Sequence, residues 1–286
     1  MRWTEGISEA IDYIEKNITG ELTINEIARR AFLSPFYFQK GFSMLCGFTV
    51  GEYIRQRRLS LAGSELVSTD KKIIDIALEY GYDSPDSFTK AFTRFHGVTP
   101  TAVRREGALI KSFTRLNLTI SLKGGYTVDY KIMEKPAFTV IGASKMFPYG
   151  NSYDTLPKFW DEHYQAGKNK VVCGQYGICF AEKKDADEFE YIIADDYHPE
   201  REVPEGFVTR TIPAHTWAVF PIVGAMPKAL QDVNTKIFSE WLPNNRDFEI
   251  AADYDIEFYS DIAEYPKGNN DENYYSEIWV PVKKVG

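Results

Sequence analysis

The stretch SPFYFQKGFSMLCGFT at residues 34–49 recurs as SPDSFTKAFTRFHGVT at residues 84–99, and this repeat indicates how the first half folds. Seven of the sixteen aligned positions are identical, including a Ser-Pro pair at the start and a glycine near the end. Serine caps a helix and proline suits its first turn, so each copy predicts a helix start. Gly47 and Gly97 predict the two helix ends.

Each predicted helix carries an apolar stripe on one side. The stripe residues lie at helical spacing: Phe38, Phe42 and Leu45 in the first copy, and Phe88, Phe92 and Phe95 in the second. Because this spacing is typical of a helix with one buried face, we expect both stripes to pack inward. The opposite faces carry residues that suit contact with bases or phosphates: Phe36, Gln39, Lys40 and Ser43, and Asp86, Thr89, Lys90 and Thr93.

A shorter helical pattern precedes each copy. It reads INEIARRAFLS from Ile24 and IIDIALEYGYDS from Ile73. A short helix, a tight turn and a longer helix together form the helix-turn-helix unit. Between the two copies, VGEYIRQRRLSLAGSELV suits a connecting helix. The first half therefore predicts an all-α domain in which one linker helix joins two helix-turn-helix units.

These segments resemble the DNA-binding domain of the AraC/XylS transcription regulators. The resemblance covers residues 5–106 and is most specific in IALEYGYDSPDSFTKAFTRFHGVTPTAVR. It implies two recognition helices that address adjacent major-groove segments of double-stranded DNA, with RNA polymerase as a further partner. The residues that we assign to DNA contact on this basis are Phe36, Gln39, Lys40, Arg55, Arg58, Asp86, Thr89, Lys90 and Arg94.

Two details of these helices leave alternatives open. Pro85 cannot donate a hydrogen bond, and phosphate repels Asp86 unless its carboxylate accepts from a cytosine amino group. We therefore expect the second recognition helix to read few bases. Arg57 and Arg58 either contact phosphates or anchor the linker helix inside the protein.

Charge divides the chain into unlike halves. Residues 1–112 hold 15 Lys and Arg against 14 Asp and Glu, whereas residues 113–286 hold 18 against 27. The acidic second half is a poor partner for nucleic acid. The chain has no apolar run near the ~20 residues of a membrane helix and no signal-peptide pattern, so we expect a cytoplasmic protein without a membrane partner. Neither CxxC nor HExxH occurs, so we expect no metal and no other cofactor.

The second half alternates strands and helices in two similar copies. Each copy is expected to form a hairpin, a helix and a second hairpin, with the first hairpins turning around Pro136 and Pro213. The expected organisation is an all-α domain at residues 1–112, a linker at 113–125, and an α+β domain with an antiparallel sheet at 126–286. Two pseudo-symmetric halves of this kind enclose a cleft, where ligands commonly bind.

The segments PAHTWAVF and YSEIWVPV resemble the GyrI-like, multidrug-effector-binding domain. The resemblance implies a ligand-binding glutamate, which maps to Glu277, with Glu190 as its pseudo-symmetric counterpart. Strand alternation places Trp279 on the face of Glu277. Further aromatic residues expected at the site are Tyr149, Tyr153, Trp217 and Tyr275. Aromatic rings beside a carboxylate suit flat, cationic ligands.

For two further residues we expect a role other than ligand contact, and for a third the role stays open. Trp160 and Trp241 occupy matching positions in the two predicted helices, and we expect both to lie in the core. Glu257 either serves the cleft or faces water.

The combined patterns predict a sequence-specific DNA-binding transcription regulator, not an enzyme, whose second domain senses a small aromatic or cationic effector. Two alternatives concern the second domain. In one, it is a glutamate-dependent hydrolase of electrophilic small molecules, with Glu277 as the general base. In the other, it is a protein-interaction module.

Overall fold

The chain forms two compact units in the computed structural model, which describes residues 3–106, 108–117, 128–181 and 188–285. The first unit contains residues 1–38 and 48–121, and the second contains residues 39–47 and 122–286. Part of the linker expected at 113–125 lies outside the described residues. Within the described ranges, no helix is both long enough and apolar enough to cross a membrane.

The described residues before position 107 are mainly helical. The helices are α1 (Trp3–Lys16), α2 (Ile24–Arg30), α3 (Pro35–Cys46), α4 (Val50–Ser68), α5 (Ile73–Glu79), α6 (Pro85–His96) and α7 (Pro100–Glu106). The pairs α2–α3 and α5–α6 are the two predicted helix-turn-helix units, and α4 is the predicted linker helix. The fold class expected for this region is confirmed.

The helix ends follow the signals of the repeat. The Ser34 hydroxyl accepts a hydrogen bond from the Tyr37 amide at 3.4 Å, and the Ser84 hydroxyl accepts from the Ser87 amide at 3.2 Å. Gly47 and Gly97 have φ angles of 76° and 84°, a backbone region that glycine adopts without strain. The serine and glycine positions thus fix where both helices begin and end.

The linker helix α4 has a closed amino-terminal cap and a buried carboxyl-terminal half. The Thr49 amide donates to the Glu52 carboxylate at 2.8 Å, and the Glu52 amide donates to the Thr49 hydroxyl at 3.1 Å. This reciprocal arrangement satisfies two amides that a helix start otherwise leaves unpaired. The core around α4, α5, α6 and α7 contains Leu59, Ala62, Leu66, Ile76, Ala77, Tyr80, Phe88, Phe92 and Val103.

The second unit is built on one antiparallel sheet. Its strands are β1 (Lys131–Lys135), β2 (Phe138–Pro148), β3 (Tyr176–Phe180), β4 (Glu188–Asp196), β5 (Val208–Ile212), β6 (His215–Val223), β7 (Phe248–Ile250), β8 (Tyr254–Tyr259) and β9 (Tyr275–Lys284). Its helices are α8 (Ser152–Gln165), α9 (Lys228–Lys236), the π-helical turn Ile237–Trp241 and α10 (Leu242–Asn244).

The strand order β1-β6-β9-β8-β3-β4-β2-β5 has an internal twofold relation, with β7 attached to β9. Exchanging β1 with β5, β2 with β6, β3 with β8 and β4 with β9 reproduces the order from the other end. The paired central strands β3 and β8 are therefore equivalent members of two halves. This confirms the predicted α+β domain of two pseudo-symmetric halves.

The pairing of the first strand in each half differs from the sequence prediction. We expected β1 and β2 to form a hairpin around Pro136, and β5 and β6 to form one around Pro213. Instead, β1 pairs with β6 and β5 pairs with β2. The connections Pro136–Ala137 and Pro213–Ala214 lack the glycine or asparagine that a two-residue hairpin turn requires, so each first strand pairs with the opposite half.

Strand alternation gives the central sheet two unlike faces. On one face, which we call the aromatic face, Tyr176, Trp217, Ile256 and Trp279 belong to one buried apolar cluster. The other face, which we call the carboxylate face, carries Cys179, Tyr191, Asp255, Glu257 and Tyr259. One face of the sheet is apolar and aromatic, and the other carries carboxylates and hydroxyls. The sheet face on which a side chain lies therefore limits the groups that it can contact.

Candidate functional site

Helix α6 presents the polar face that the repeat predicts. Asp86, Lys90 and Arg94 are exposed and Thr89 is half-buried. Phe92 lies on the other side of the helix and is buried in the core of the first unit. Contact of the exposed side chains with DNA stays a prediction.

Helix α3 differs from this expectation. All residues from Phe36 to Phe42 are buried, on every side of the helix. The buried positions include all three predicted DNA contacts of this helix: Phe36, Gln39 and Lys40. The expectation that α3 exposes a polar face is therefore wrong in this structure. The reason is that Phe36 and Tyr37 replace the polar Asp86 and Ser87 of the second copy, and a helix that is apolar around most of its surface is buried.

Two arginines of α4 make contacts inside the protein, and a third is exposed. Arg57 donates to both carboxylate oxygens of Glu15, at 2.8 and 2.7 Å. Arg58 donates to two backbone carbonyls in the loop after α1, both at 2.7 Å. These contacts favour the anchoring alternative for both residues, including Arg58, which we had assigned to DNA. Arg55 is exposed.

The second unit contains a cavity of about 1150 Å³. This volume is slightly larger than the usual range for small-molecule sites, roughly 300–1,000 Å³. Its lining includes aromatic rings and a carboxylate from α8, β4 and β8: Tyr153, Trp160, Tyr191, Glu257 and Tyr259. The cavity therefore combines stacking surfaces with a negative group.

Glu257 is held in the lining by two phenolic donors. Its Oε2 atom accepts hydrogen bonds from the Tyr191 hydroxyl at 2.6 Å and from the Tyr259 hydroxyl at 2.9 Å. Trp160 donates to the Tyr191 hydroxyl at 3.1 Å, which fixes that ring in turn. Burial raises the pKa of Glu257, against the opposing effects of the Lys40 charge and the tyrosine hydrogen bonds. A buried carboxylate of this kind favours a cationic ligand, because a nearby positive charge offsets the cost of keeping the carboxylate ionised away from water.

Gly177 has no side chain, and this leaves space for the Tyr191 hydroxyl and the Glu257 carboxylate. It lies opposite Glu257 in the β3–β8 register. A Cβ atom at position 177 would lie 2.0 Å from the Tyr191 hydroxyl oxygen and 2.7 Å from Oε2 of Glu257. A side chain at this position would displace the tyrosine or the carboxylate.

We expect Gly177→Ala to lower the free energy of unfolding by about 1–3 kcal/mol, because the added methyl overpacks a buried site. Urea unfolding of the full chain would measure the loss. Gly20→Ala is the control, since its added Cβ would have its nearest heavy atom at 3.4 Å, an ordinary contact. Equal unfolding free energies for the two variants would contradict the close approach at residue 177.

Glu277 lies on the aromatic face, whereas the sequence led us to expect it in the cleft. Phe258 pairs with Glu277 across β8 and β9, so Glu257 alternates to the opposite face. The Glu277 carboxylate accepts hydrogen bonds from Lys131 at 2.9 Å and from Tyr275 and Trp279, both at 2.6 Å. Burial acts to raise the pKa of Glu277, but these three hydrogen bonds outweigh it and lower the pKa. Glu277 does not line the cavity.

The other residues that we expected to contact a ligand lie in different parts of the second unit. Trp217 lies in the apolar cluster of the aromatic face, and Glu190 on that face accepts from Arg210 at 3.0 and 3.1 Å. Tyr149 is buried beside Phe189, with ring centroids 5.1 Å apart. Tyr153 lines the cavity. The structure thus brings Tyr153 to the cavity, but none of Glu277, Trp279, Tyr275, Trp217 and Glu190.

The sequence interpretation missed part of the cavity lining. Trp160, which we expected in the core, lines the cavity, whereas Trp241 packs against Phe220 with ring centroids 5.0 Å apart. Of the two alternatives for Glu257, the structure favours the one in which it serves the cleft. Alternation in YDIEFY at residues 254–259 was the available signal, because it places Asp255, Glu257 and Tyr259 on one strand face.

Two family models match the chain. The model of the Cass2 family, integron-associated effector binding protein, matches residues 131–282. A helix-turn-helix domain model, HTH_18, matches residues 27–106.

Curated relatives match the first part of the chain. The HTH-type transcriptional activator AarP of Providencia stuartii is 40% identical over 98 residues, which are 34% of this chain and 73% of that protein. The regulatory protein SoxS of Salmonella typhimurium is also 40% identical over 98 residues, 34% of this chain and 92% of that protein.

A solved structure, SAV2435 bound to tetraphenylphosphonium, is similar to part of the chain. It is 22% identical, with a TM-score of 0.47, over 54% of this chain and 94% of that chain. By the family models and the relatives, the chain belongs to the DNA-binding AraC-type transcription regulators, and its second half belongs to the GyrI-like, Cass2 family of effector-binding domains.

Proposed function

We propose that this regulator senses a lipophilic aromatic cation in the cavity of its second unit. The observation that carries the proposal is the buried carboxylate of Glu257 among the cavity rings of Tyr153, Trp160, Tyr191 and Tyr259. Cation–π attraction contributes about 0.5–2 kcal/mol for each ring that a cation faces. A neutral aromatic ligand would gain stacking but would place no positive charge beside the buried carboxylate.

DNA contact is assigned to the exposed face of α6, with Arg55 as a further contact. Relatives named as a transcriptional activator and a regulatory protein support a role at promoters. RNA polymerase belongs to the proposal as a further partner. The effector acts as a sensed ligand in this proposal and is not a substrate. The effector changes DNA affinity only if it binds two states of the protein unequally.

Tetraphenylphosphonium is a suitable probe, because it has four aromatic rings and one permanent positive charge. We expect saturable quenching of the protein's aromatic fluorescence when it is titrated into the full chain. The affinity for a DNA duplex selected from a random library by the wild-type protein should then change by roughly 5- to 150-fold, a typical coupling of 1–3 kcal/mol. Absence of saturable binding, or binding with unchanged DNA affinity, would contradict the proposed function.

The DNA assignment has its own test in Lys90→Ala and Arg94→Ala. Each variant should bind the selected duplex more weakly, and each should reduce the slope of log affinity against log salt by about 1, because one phosphate contact is lost. Fluorescence anisotropy over a salt series measures both quantities. Lys283→Ala is the control, since Lys283 is exposed and pairs with Glu249 in the second unit. If Lys90 and Arg94 variants kept the wild-type slope, α6 would not lie on DNA.

A further inference from the structure

The cavity continues along α8 well beyond the surroundings of Glu257. Its lining residues on this helix share one helical face: Tyr153, Leu156, Pro157, Trp160, Asp161 and Tyr164. Because an α-helix rises about 1.5 Å per residue, the cavity wall from Tyr153 to Tyr164 is about 16 Å long. Glu257 is linked to an inner part of this wall, since Trp160 donates to the Tyr191 hydroxyl that holds the carboxylate. The cavity therefore has room for a ligand that extends past Glu257.

Strand β8 and its extension place a second carboxylate in the lining. Glu257, Tyr259 and Asp261 alternate to one side of this chain segment, and all three line the cavity. The segment stays extended past the end of β8, because the Ser260 amide donates to the Tyr275 carbonyl at 3.3 Å and Asp261 has a φ of −62° and a ψ of 119°. At about 3.3 Å per residue, the α-carbons of Glu257 and Asp261 lie about 13 Å apart.

Aromatic rings lie between these two carboxylates. Tyr259 occupies the intermediate position on the same side of the segment, and its ring centroid lies 5.1 Å from that of Trp160. Both rings line the cavity. A ligand that reaches from Glu257 to Asp261 therefore passes over an aromatic surface.

The end of the cavity near Asp261 is negatively charged. Burial raises the pKa of the Tyr164 hydroxyl and of the Cys173 thiol, and the charges of Asp195 and Asp261 act in the same direction on both. Tyr164 and Cys173 line the cavity, so the field of the two carboxylates reaches its wall. Among the described lining residues, six are Asp or Glu and two are Lys or Arg, which makes the whole lining negative.

Glu257 and Asp261 each keep one carboxylate oxygen that accepts no hydrogen bond from a described residue. Both tyrosine hydroxyls at Glu257 donate to Oε2, which leaves Oε1. Oδ1 of Asp261 accepts from the Ala263 amide at 2.9 Å, which leaves Oδ2. Asp195 differs, because its two oxygens accept from three backbone amides at 2.6–2.9 Å. The two oxygens that remain are therefore at Glu257 and Asp261.

We propose that the cavity takes an elongated dication, with one positive group at Glu257 and the other at Asp261. This inference rests on the proposed function, because it concerns the same cavity and the same buried carboxylate. The ligand class is two quaternary ammonium groups joined by an apolar spacer. The spacer packs on the rings of Trp160 and Tyr259, and these rings also attract the ammonium groups through their faces.

The second charge strengthens binding because it is tied to the first. Once one ammonium lies at Glu257, the spacer holds the other close to Asp261, so the second contact forms within one complex. A compact monocation at Glu257 leaves the exposed Asp261 carboxylate to water. A ligand with one charge and an equally long chain gains the spacer contacts but places an apolar end in the negative part of the cavity.

Decamethonium and decyltrimethylammonium are matched probes, because they share one alkyl chain length and differ in the second trimethylammonium group. We expect the wild-type full chain to bind decamethonium about fivefold more tightly at low salt, where exposed ion pairs are screened least. Asp261→Asn should remove this preference and change tetraphenylphosphonium affinity by less than about twofold. Asparagine keeps an acceptor for the Ala263 amide, so the turn retains its cap. Isothermal titration calorimetry measures all three affinities.

Glu264→Gln is the control for the loss of one negative charge. Glu264 is exposed, lies three residues from Asp261 and is not part of the cavity lining, so this variant should keep the preference for decamethonium. Equal binding of the two matched probes by the wild type would overturn the proposal. Persistence of the preference in Asp261→Asn, or its loss in Glu264→Gln, would do the same.

Tetraphenylphosphonium separates this inference from the proposed function. If the wild type binds tetraphenylphosphonium but shows no preference for decamethonium, the dication inference fails and the proposed function stands. If the wild type binds none of the three cations, both are contradicted.

Discussion

A Glu257→Gln chain is expected to bind tetraphenylphosphonium at least 30-fold more weakly than the wild type, a loss of about 2 kcal/mol. Glutamine keeps the size of the side chain and an acceptor for the Tyr191 hydroxyl, but it removes the negative charge from the cavity lining. The ligand cation then loses the buried counter-charge that Glu257 supplies among the aromatic rings. Fluorescence titration and calorimetry of the full chain would measure the change.

Glu277→Gln is a closely matched control for this experiment. Glu257 and Glu277 are each 6% exposed, and both carboxylates accept hydrogen bonds from aromatic side chains. They differ in the sheet face on which they lie, and Glu277 is not part of the cavity lining. We expect Glu277→Gln to change cation affinity by less than about threefold. A larger loss in the Glu277 variant than in the Glu257 variant would return the ligand site to the aromatic face.

Phe92→Ala is expected to lower the free energy of unfolding of the first unit by about 3–5 kcal/mol. Phe92 is completely buried, and its ring lies 5.4 Å from the centroid of Phe88 and 4.1 Å from that of His96. Removing the ring leaves a void next to the linker helix, which neighbouring side chains fill only in part. Denaturant unfolding followed by circular dichroism, with amide exchange to identify the unit, would measure the loss.

Phe95→Ala on the same helix provides the comparison. Phe95 belongs to the same predicted stripe but is only partly buried, so its truncation should cost clearly less than that of Phe92. DNA affinity should fall in the Phe92 variant at temperatures where the first unit begins to unfold. If both variants lost the same stability, α6 would not be packed by the face that its sequence indicates.

Local sequence signals were sufficient for α6 and insufficient for α3. Both helices have the same Ser-Pro start, the same glycine end and an equivalent phenylalanine stripe. The stripes differ only in Leu45 and Phe95, and the main contrast lies at the helix start, where Phe36 and Tyr37 make α3 apolar and Asp86 and Ser87 make α6 polar. This difference is visible in the sequence, but our interpretation placed Phe36 on the exposed face of α3. The sequence does not predict that Lys40 of α3 pairs with Asp255, because Asp255 lies 215 residues further along the chain.

The cavity residues show a similar limit. Period-two alternation correctly places Glu277 with Trp279 and would place Glu257 with Tyr259, but it does not show which of these faces encloses a cavity. That choice depends on the register of β8 against β9, in which Phe258 pairs with Glu277. A glutamate's neighbours in sequence are therefore a poor guide to whether it lines the cavity.

Several features follow from residues that are close together in the sequence: helix caps, apolar stripes, strand alternation, the repeat of the first half and the charge contrast between halves. Caps, stripes and alternation depend on backbone geometry within a few residues, so the amino-acid sequence is enough to predict them. The tertiary structure alone decided the exchange of β1 and β5 between the halves, the face that lines the cavity, and the pairing of Lys40 with Asp255. These contacts join segments that are distant in the sequence. Which segments pack together and exclude water depends on the alternatives that the whole chain offers.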